Sequence, residues 1–248
     1  MEVWRGIEEM SLNGWPAHHT LLYDGWLLRF ADGYTKRSNS INPIYGNSLD
    51  VGQKIKRCEQ LYREQGQATV FKLTPFVQPN GLDERLADMG YEKIDHTLVK
   101  TASLADLQCP GFDNIVLSTE LTPLWLDAIQ TLQKLSERQK EATRKMYDSL
   151  PLKKAFAVLM DGEEAAACGI VTLEQGWAGL YDIVTSESKR GRGYGEQLTR
   201  RLLYWAKEQG VEQSYLLVVK NNEAANRLYD KFGFTHLYDY WYRTKAMA

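Results

Sequence analysis

The sequence predicts an α/β protein built on a mixed sheet, with a complete α+β unit in its second half and a partial copy of it in the first. Three observations predict this. Apolar strand-like runs alternate with segments of helical period through the second half. A turn rich in arginine and glycine, Arg190-Gly191-Arg192-Gly193-Tyr194-Gly195, joins an apolar strand to an amphipathic helix. Features of the first half recur in the second at a nearly constant separation.

Bulk properties set the limits. A chain of 248 residues has room for one large domain or two small ones. Its 44% hydrophobic and 25% charged composition is ordinary for a soluble globular protein. A formal net charge of -2 without long blocks of like charge gives no general attraction to nucleic acid. Met1 to Glu9 lacks an apolar signal core, and no apolar run approaches the ~20 residues that span a bilayer, so a cytoplasmic protein without membrane partners is expected. Cys58, Cys109 and Cys168 are odd in number and lie in no metal or redox spacing. They read as reduced thiols, with Cys58 and Cys168 as core filler.

In chain order, Gly25 to Phe30 and Tyr34 to Asn42 read as the arms of a hairpin turning at Asp32-Gly33. A helical segment closes at Gly66, Ala68 to Thr74 is a strand, Leu82 to Met89 a helix closed by Gly90, and Glu92 to Lys100 a strand. A linker at 102–112, containing Cys109-Pro110-Gly111, separates this partial domain, 1–101, from a complete one, 113–248. There Ile115 to Leu117 is a strand, and Thr122 to Gln133 and Ser136 to Leu150 are helices, the second broken by Pro151. Lys154 to Met160 and Ala165 to Leu173 form a hairpin on Asp161-Gly162, and Gln175-Gly176 leads to a strand, Trp177 to Val184. The helix from Gly195 to Gln209 buries Leu198, Leu202, Trp205 and Ala206 and stops at Gly210. Strand Ser214 to Val219, a helix over 222–231 and an aromatic strand, His236 to Lys245, complete the set. The echo is visible in Arg63-Glu64-Gln65-Gly66 against Lys207-Glu208-Gln209-Gly210, and in Gly90-Tyr91 against Gly233-Phe234.

The arginine-glycine turn suits a diphosphate. Glycine permits positive φ and lets a ligand approach the main chain, and the first amides of the following helix have no internal acceptor. Lys189, Arg190 and Arg192 add positive charge. The spacing excludes a Walker loop, which needs Lys-Ser or Lys-Thr after its glycines, and a dinucleotide fingerprint, which sits early in its domain. By itself the turn also fits an ordinary helix start with solvated basic residues.

The pattern R-x-x-G-x-G resembles motif A of the GNAT superfamily of acetyl-CoA-dependent N-acetyltransferases. Downstream, Asn222-Glu223-Ala224-Ala225-Asn226-Arg227-Leu228-Tyr229, then Lys231-Phe232-Gly233-Phe234, matches the superfamily's N-x-x-A-x-x-L-Y segment followed by Gly-Phe. The resemblance covers residues 113–248 and implies a GNAT fold there, preceded by a degenerate GNAT-like half. Its central strands, Trp177 to Val184 and Ser214 to Val219, would run parallel and splay apart where acetyl-CoA enters. The first half offers Tyr45-Gly46-Asn47-Ser48 where the turn should be and Leu86 where Tyr229 should be. It should therefore not bind the cofactor, and it takes a structural or substrate-shaping role.

The implied reaction moves acetyl from acetyl-CoA to a primary amine of a small molecule or peptide by direct attack in a ternary complex, without a metal. An ordinary lysine-like amine has a pKa of ~10.4, so a base or a water relay must take its proton. Asp182 is the leading candidate, with Glu120 and Tyr181 behind it; a structural carboxylate satisfied by backbone amides is the other reading. The resemblance puts the acetyl carbonyl against the main-chain amide of Ile183 or Val184 and makes Tyr229 the acid that protonates the leaving sulfur. Tyr229 also reads as a core aromatic beside Leu228 and Phe232. Arg190 to Gly195 would hold the diphosphate, Asn222 the pantetheine while capping its helix, and Asn226 is a further contact. The acceptor groove would use Thr122 to Leu150 and His236 to Lys245. There Tyr238, Tyr240 and Tyr242 share one side of a strand and either line the groove or pack in a core and at a dimer edge. Lys36 to Asn42 either reaches the groove or lines a vestigial cleft. A homodimer stays open. The alternative function is an acyl-CoA-binding regulatory module without turnover.

Overall fold

The computed structural model describes residues 2–33, 35–46, 48–109, 111 and 114–246 and folds into two compact units. The first unit takes the chain up to residue 99, 219–221 and the stretch from 237 onward. The second takes 100–218 and 222–236. Both mix strands and helices, and each contains parallel as well as antiparallel strand pairs. Among the described residues, no helix is long and apolar enough to cross a membrane.

In the first unit, α1 (Glu2–Gly14) precedes a hairpin of β1 (His19–Tyr23) and β2 (Trp26–Phe30). Then come β3 (Ile41–Pro43), α2 (Val51–Glu64), β4 (Thr69–Leu73), α3 (Leu82–Asp88) and most of β5 (Glu92–Ser103). The strand order is β1-β2-β3-β4, then β11 (Thr235–Lys245), then β5. Trp26, Leu28, Ile41, Ile55, Phe71 and Leu86 form its core.

Four expectations for the ends of the halves are corrected. A tight hairpin not predicted turns at Asp24-Gly25, both with positive φ, and pairs His19–Tyr23 with Trp26–Phe30, while of the predicted pairing Trp26–Leu28 does lie antiparallel to Ile41–Pro43. Residues 35–40 are turns, because the Asn39 side chain accepts from the amides of Ala31 (2.7 Å) and Gly33 (3.0 Å) and donates to the Thr35 carbonyl (2.8 Å). A side chain that bonds local backbone competes with a strand ladder. Tyr34 lies outside the described residues. The predicted linker begins inside β5, which runs through Ser103, and the following segment is tied down by Leu104 N–H to the Glu212 carbonyl at 2.8 Å. Pro110 and Phe112 lie outside the described residues.

The last correction concerns the aromatic strand. From residue 237, β11 belongs to the first unit and pairs antiparallel with β4, Trp241 opposite Leu73 and Lys245 opposite Thr69. Of the two readings of Tyr238, Tyr240 and Tyr242, core packing is the one their burial fits, in the first unit rather than the second. The Tyr238 hydroxyl donates to Glu8 at 2.8 Å, and Glu8 pairs with Lys72, whose ammonium lies 4.0 Å from the Tyr240 ring centre. A buried ion pair needs such added partners to offset its desolvation.

The second unit contains β6 (Ile115–Ser118), α4 (Pro123–Gln133), α5 (Glu137–Asp148), β7 (Lys153–Asp161), β8 (Glu164–Glu174), β9 (Trp177–Thr185), α6 (Tyr194–Glu208), β10 (Gln213–Val219) and α7 (Glu223–Asp230). Its strand order is β6-β7-β8-β9-β10. Thr122 caps α4, and Ser136 with Gln139 forms a capping box on α5. The Trp125 indole donates to the Gly169 carbonyl at 2.9 Å, and Trp125, Tyr147 and Phe156 pack edge to face. A Cβ at Gly169 would stand 2.5 Å from Ile183 Cδ1 and 3.2 Å from Leu202 Cδ1, so a larger residue would push those side-chain ends aside.

Candidate active site

The site begins with two parallel strands that part. β9 and β10 pair from Trp177 with Gln213 to Leu180 with Leu216, and their remaining residues no longer face each other in the ladder. The cause lies on the other edge of β9. Cys168 pairs with Val184 and Ile170 with Tyr181, so Asp182 and Ile183 both oppose Gly169. This bulge bends β9 away, and Asp182 takes the left-handed conformation, φ 49°, that aspartate tolerates better than most residues. Ile183 and Val184 thus carry their amides past the point where the strands separate.

Asp182 is fixed by side chains of two helices. It accepts from the Tyr147 hydroxyl at 2.8 Å and from Gln133 Nε2 at 3.1 Å. Both of these donors are side chains. Burial, with the Asp182 charge as a second cause, pushes the neighbouring Cys168 thiol well above its usual range. Tyr181 is buried, its hydroxyl 2.6 Å from that of Tyr215. Glu120 is exposed in the bend after β6, where its amide donates to the Ser118 hydroxyl.

The arginine-glycine turn leads directly into α6. Gly191 and Gly193 have φ of 80° and 81°, and Gly193 caps the helix without a side chain. Gln197 N–H to the Gly193 carbonyl, 3.0 Å, closes the first helical ring, so the amides of Tyr194, Gly195 and Glu196 have no acceptor inside the helix. A Cβ on Gly195 would lie 3.2 Å from Thr185 Oγ1 and 3.4 Å from Leu228 Cδ2. That glycine lets the end of β9, the start of α6 and the residue before Tyr229 meet in one place.

The three cations are not equally available. Lys189 is engaged by Asp161 (3.1 Å) and Glu164 (2.9 Å), and Arg192 stands 3.6 Å from Asp161. Arg190 is exposed and forms no salt bridge among the described residues. Lys189 first, then the Tyr194 hydroxyl, hold the Asp161 carboxyl below its usual range.

On α7, Asn222 caps the helix by accepting from the Ala225 amide at 3.1 Å, and its carbonyl receives Asn226 N–H (3.0 Å) and Nδ2 (2.9 Å). Tyr229 is buried with its ring edge-on to Phe234, 5.9 Å between centres. Lys231 ties this helix to Glu196 of α6 at 2.7 Å. A cleft of about 590 Å³ opens among α4, the β7–β8 turn and residues 186–188, lined by Leu124, Ala128, Leu132, Met160, Glu163 and Ser188 among others.

The fold thus gathers the bulged strand, the turn and α7 as expected, and adds Gln133, Tyr147 and Asp161, which motif and spacing did not single out. Asp161 signals only a hairpin turn in the sequence, and Tyr147 sits in a helix whose mixed charges read as solvated.

Comparisons with known proteins agree with this geometry. Residues 3–243 match the family described as probable histone acetyltransferase Rv0428c, C-terminal. The chain is 34% identical over 251 residues to YobR of Bacillus subtilis (strain 168), named an uncharacterized N-acetyltransferase, covering 99% of this chain and 100% of that protein. A GCN5-related N-acetyltransferase from Kribbella flavida shares the fold at TM-score 0.72 and 14% identity, covering 99% of this chain and 95% of that one. Another from Sphaerobacter thermophilus does so at 0.63 and 15%, covering 96% and 84%. Parted parallel strands, an open glycine turn, the asparagine-capped helix with its tyrosine, and a family match over nearly the whole chain lead to one conclusion: the chain belongs to the Rv0428c C-terminal family of GCN5-related N-acetyltransferases and is an acetyltransferase.

Proposed function

We propose that the protein transfers acetyl from acetyl-CoA to a primary amine of a small molecule or peptide, by direct attack within a ternary complex. The carrying observation is the parting of β9 from β10 at the Asp182–Ile183 bulge, beside helix amides that have no internal acceptor. The residues present fit acetyl-CoA. Turn residues Arg190, Gly191, Arg192, Gly193, Tyr194 and Gly195 offer amides and charge to the diphosphate, and Asn222 and Asn226 offer polar groups to the pantetheine.

The amine nitrogen bonds to the acetyl carbon as the carbon–sulfur bond breaks. A main-chain N–H of Ile183 or Val184 donates to the carbonyl oxygen as it gains charge, and Tyr229 gives its proton to the departing sulfur. Asp182, held on the bulged strand by Tyr147 and Gln133, receives the amine proton, directly or through water. The family description names a probable histone acetyltransferase, which makes a peptide lysine the first acceptor to test. None of the three cysteines is in a disulfide, which suits work in the reducing cytoplasm. The first unit has buried Leu86 in place of the tyrosine and serves as a unit without a cofactor.

The test is thiol release from acetyl-CoA on adding a panel of amines and lysine peptides. Binding without thiol release would favour a regulatory module. With an accepted amine, Tyr229→Phe lowers kcat by at least about tenfold and leaves KM for acetyl-CoA nearly unchanged. Unaltered turnover removes Tyr229 from the mechanism.

A further inference from the structure

We propose that Asp161, in the β7–β8 turn, is a positioning residue for the acetyl-CoA diphosphate; this rests on the acetyl-CoA reading above. Two cations from the turn and its approach converge on its carboxylate, Lys189 at 3.1 Å and Arg192 at 3.6 Å. A glycine-rich turn loses much conformational freedom when it orders around a ligand. Tying its side chains to a strand hairpin removes part of that cost before the ligand arrives. Lys189 is held twice, by Asp161 and Glu164, and most of its side chain is buried, so its tether is the firm one.

The first unit carries the same device in a closed form. Asp24 stands at the tip of the β1–β2 hairpin, ahead of β3 and α2, as Asp161 stands ahead of β9 and α6. Its carboxylate accepts the Ser48 amide (3.0 Å to each oxygen), the Ser48 hydroxyl (2.7 Å), the Leu49 amide (3.0 Å) and buried Lys54 (3.1 Å). There the aspartate takes main-chain amides for itself. In the second unit the aspartate engages side chains, and the helix amides of residues 194–196 stay open to a phosphate. One element thus seals the turn in one half and braces it in the other.

Calorimetry with acetyl-CoA on the wild type, Asp161→Ala and Asp161→Asn tests this. Losing one bond to a charged group weakens binding by roughly tenfold, and that is expected for Asp161→Ala. Asp161→Asn keeps an oxygen that accepts from Lys189 and should bind within about twofold of the wild type. Both variants should melt close to the wild type, because Glu164 still pairs with Lys189 when Asp161 is replaced. Equal or tighter binding by Asp161→Ala overturns the proposal, tighter binding marking Asp161 as a competitor of the phosphate. Failure of Asp161→Asn to restore affinity overturns it too. A wild type that takes up no acetyl-CoA overturns this proposal together with the reading on which it rests.

Discussion

Single residues show how far chemistry can be read before the fold is known. Burial pushes the Cys58 thiol up to about 12 and drives Cys168 well above its usual range, while Cys109 is exposed. A thiol attacks as its thiolate, so a disulfide reagent at neutral pH should count one thiol in the folded protein and three in denaturant. Three fast-reacting thiols without denaturant would contradict the packing of Cys58 on α2 and Cys168 on β8. Asp182 shows the opposite limit. Its place on the strand before the turn was legible, but its donors Tyr147 and Gln133 lie on helices that no spacing rule connects to it. The left-handed backbone at Asp182 likewise follows from the bulge opposite Gly169, a tertiary event that local pattern does not encode.

At the scale of elements, glycines mark two different needs. Gly193 has room for a Cβ, whose nearest neighbour would be Gln197 Nε2 at 3.8 Å, but its φ is 81°. Gly193→Ala should therefore cost about 1–2 kcal/mol of stability from backbone strain and abolish tight acetyl-CoA binding in a folded protein. Gly25 combines φ of 81° with the carbonyl oxygen of Gly46 only 2.0 Å from a Cβ position. Gly25→Ala should lower the melting temperature much more than Gly193→Ala does. Normal acetyl-CoA affinity in Gly193→Ala, or similar melts for the two variants, would refute this. The elements of the second unit were legible because caps and turn residues bracket them: Thr122, Ser136, Asp161-Gly162, Gln175-Gly176 and Gly210. The first unit was less so. Its β1 is an edge strand with an exposed face and no alternation to read, and the Asn39 side chain converts a predicted arm into turns.

At the scale of the molecule, calorimetry should find one acetyl-CoA per chain. The second unit offers open turn amides, whereas Asp24 holds the amides of Ser48 and Leu49 in the first. A stoichiometry of two would show that the first half keeps a working site. The pairing of β11 with β4 has a consequence for how the protein is made. Residues 69–73 wait with one edge bare until 241–245 have been synthesised. At ~5–20 residues per second that interval is on the order of ten seconds or more, and the first half to leave the ribosome is the last to close. Stalled or truncated nascent chains should therefore be held by chaperones through β4, even where α2 and α3 have already formed.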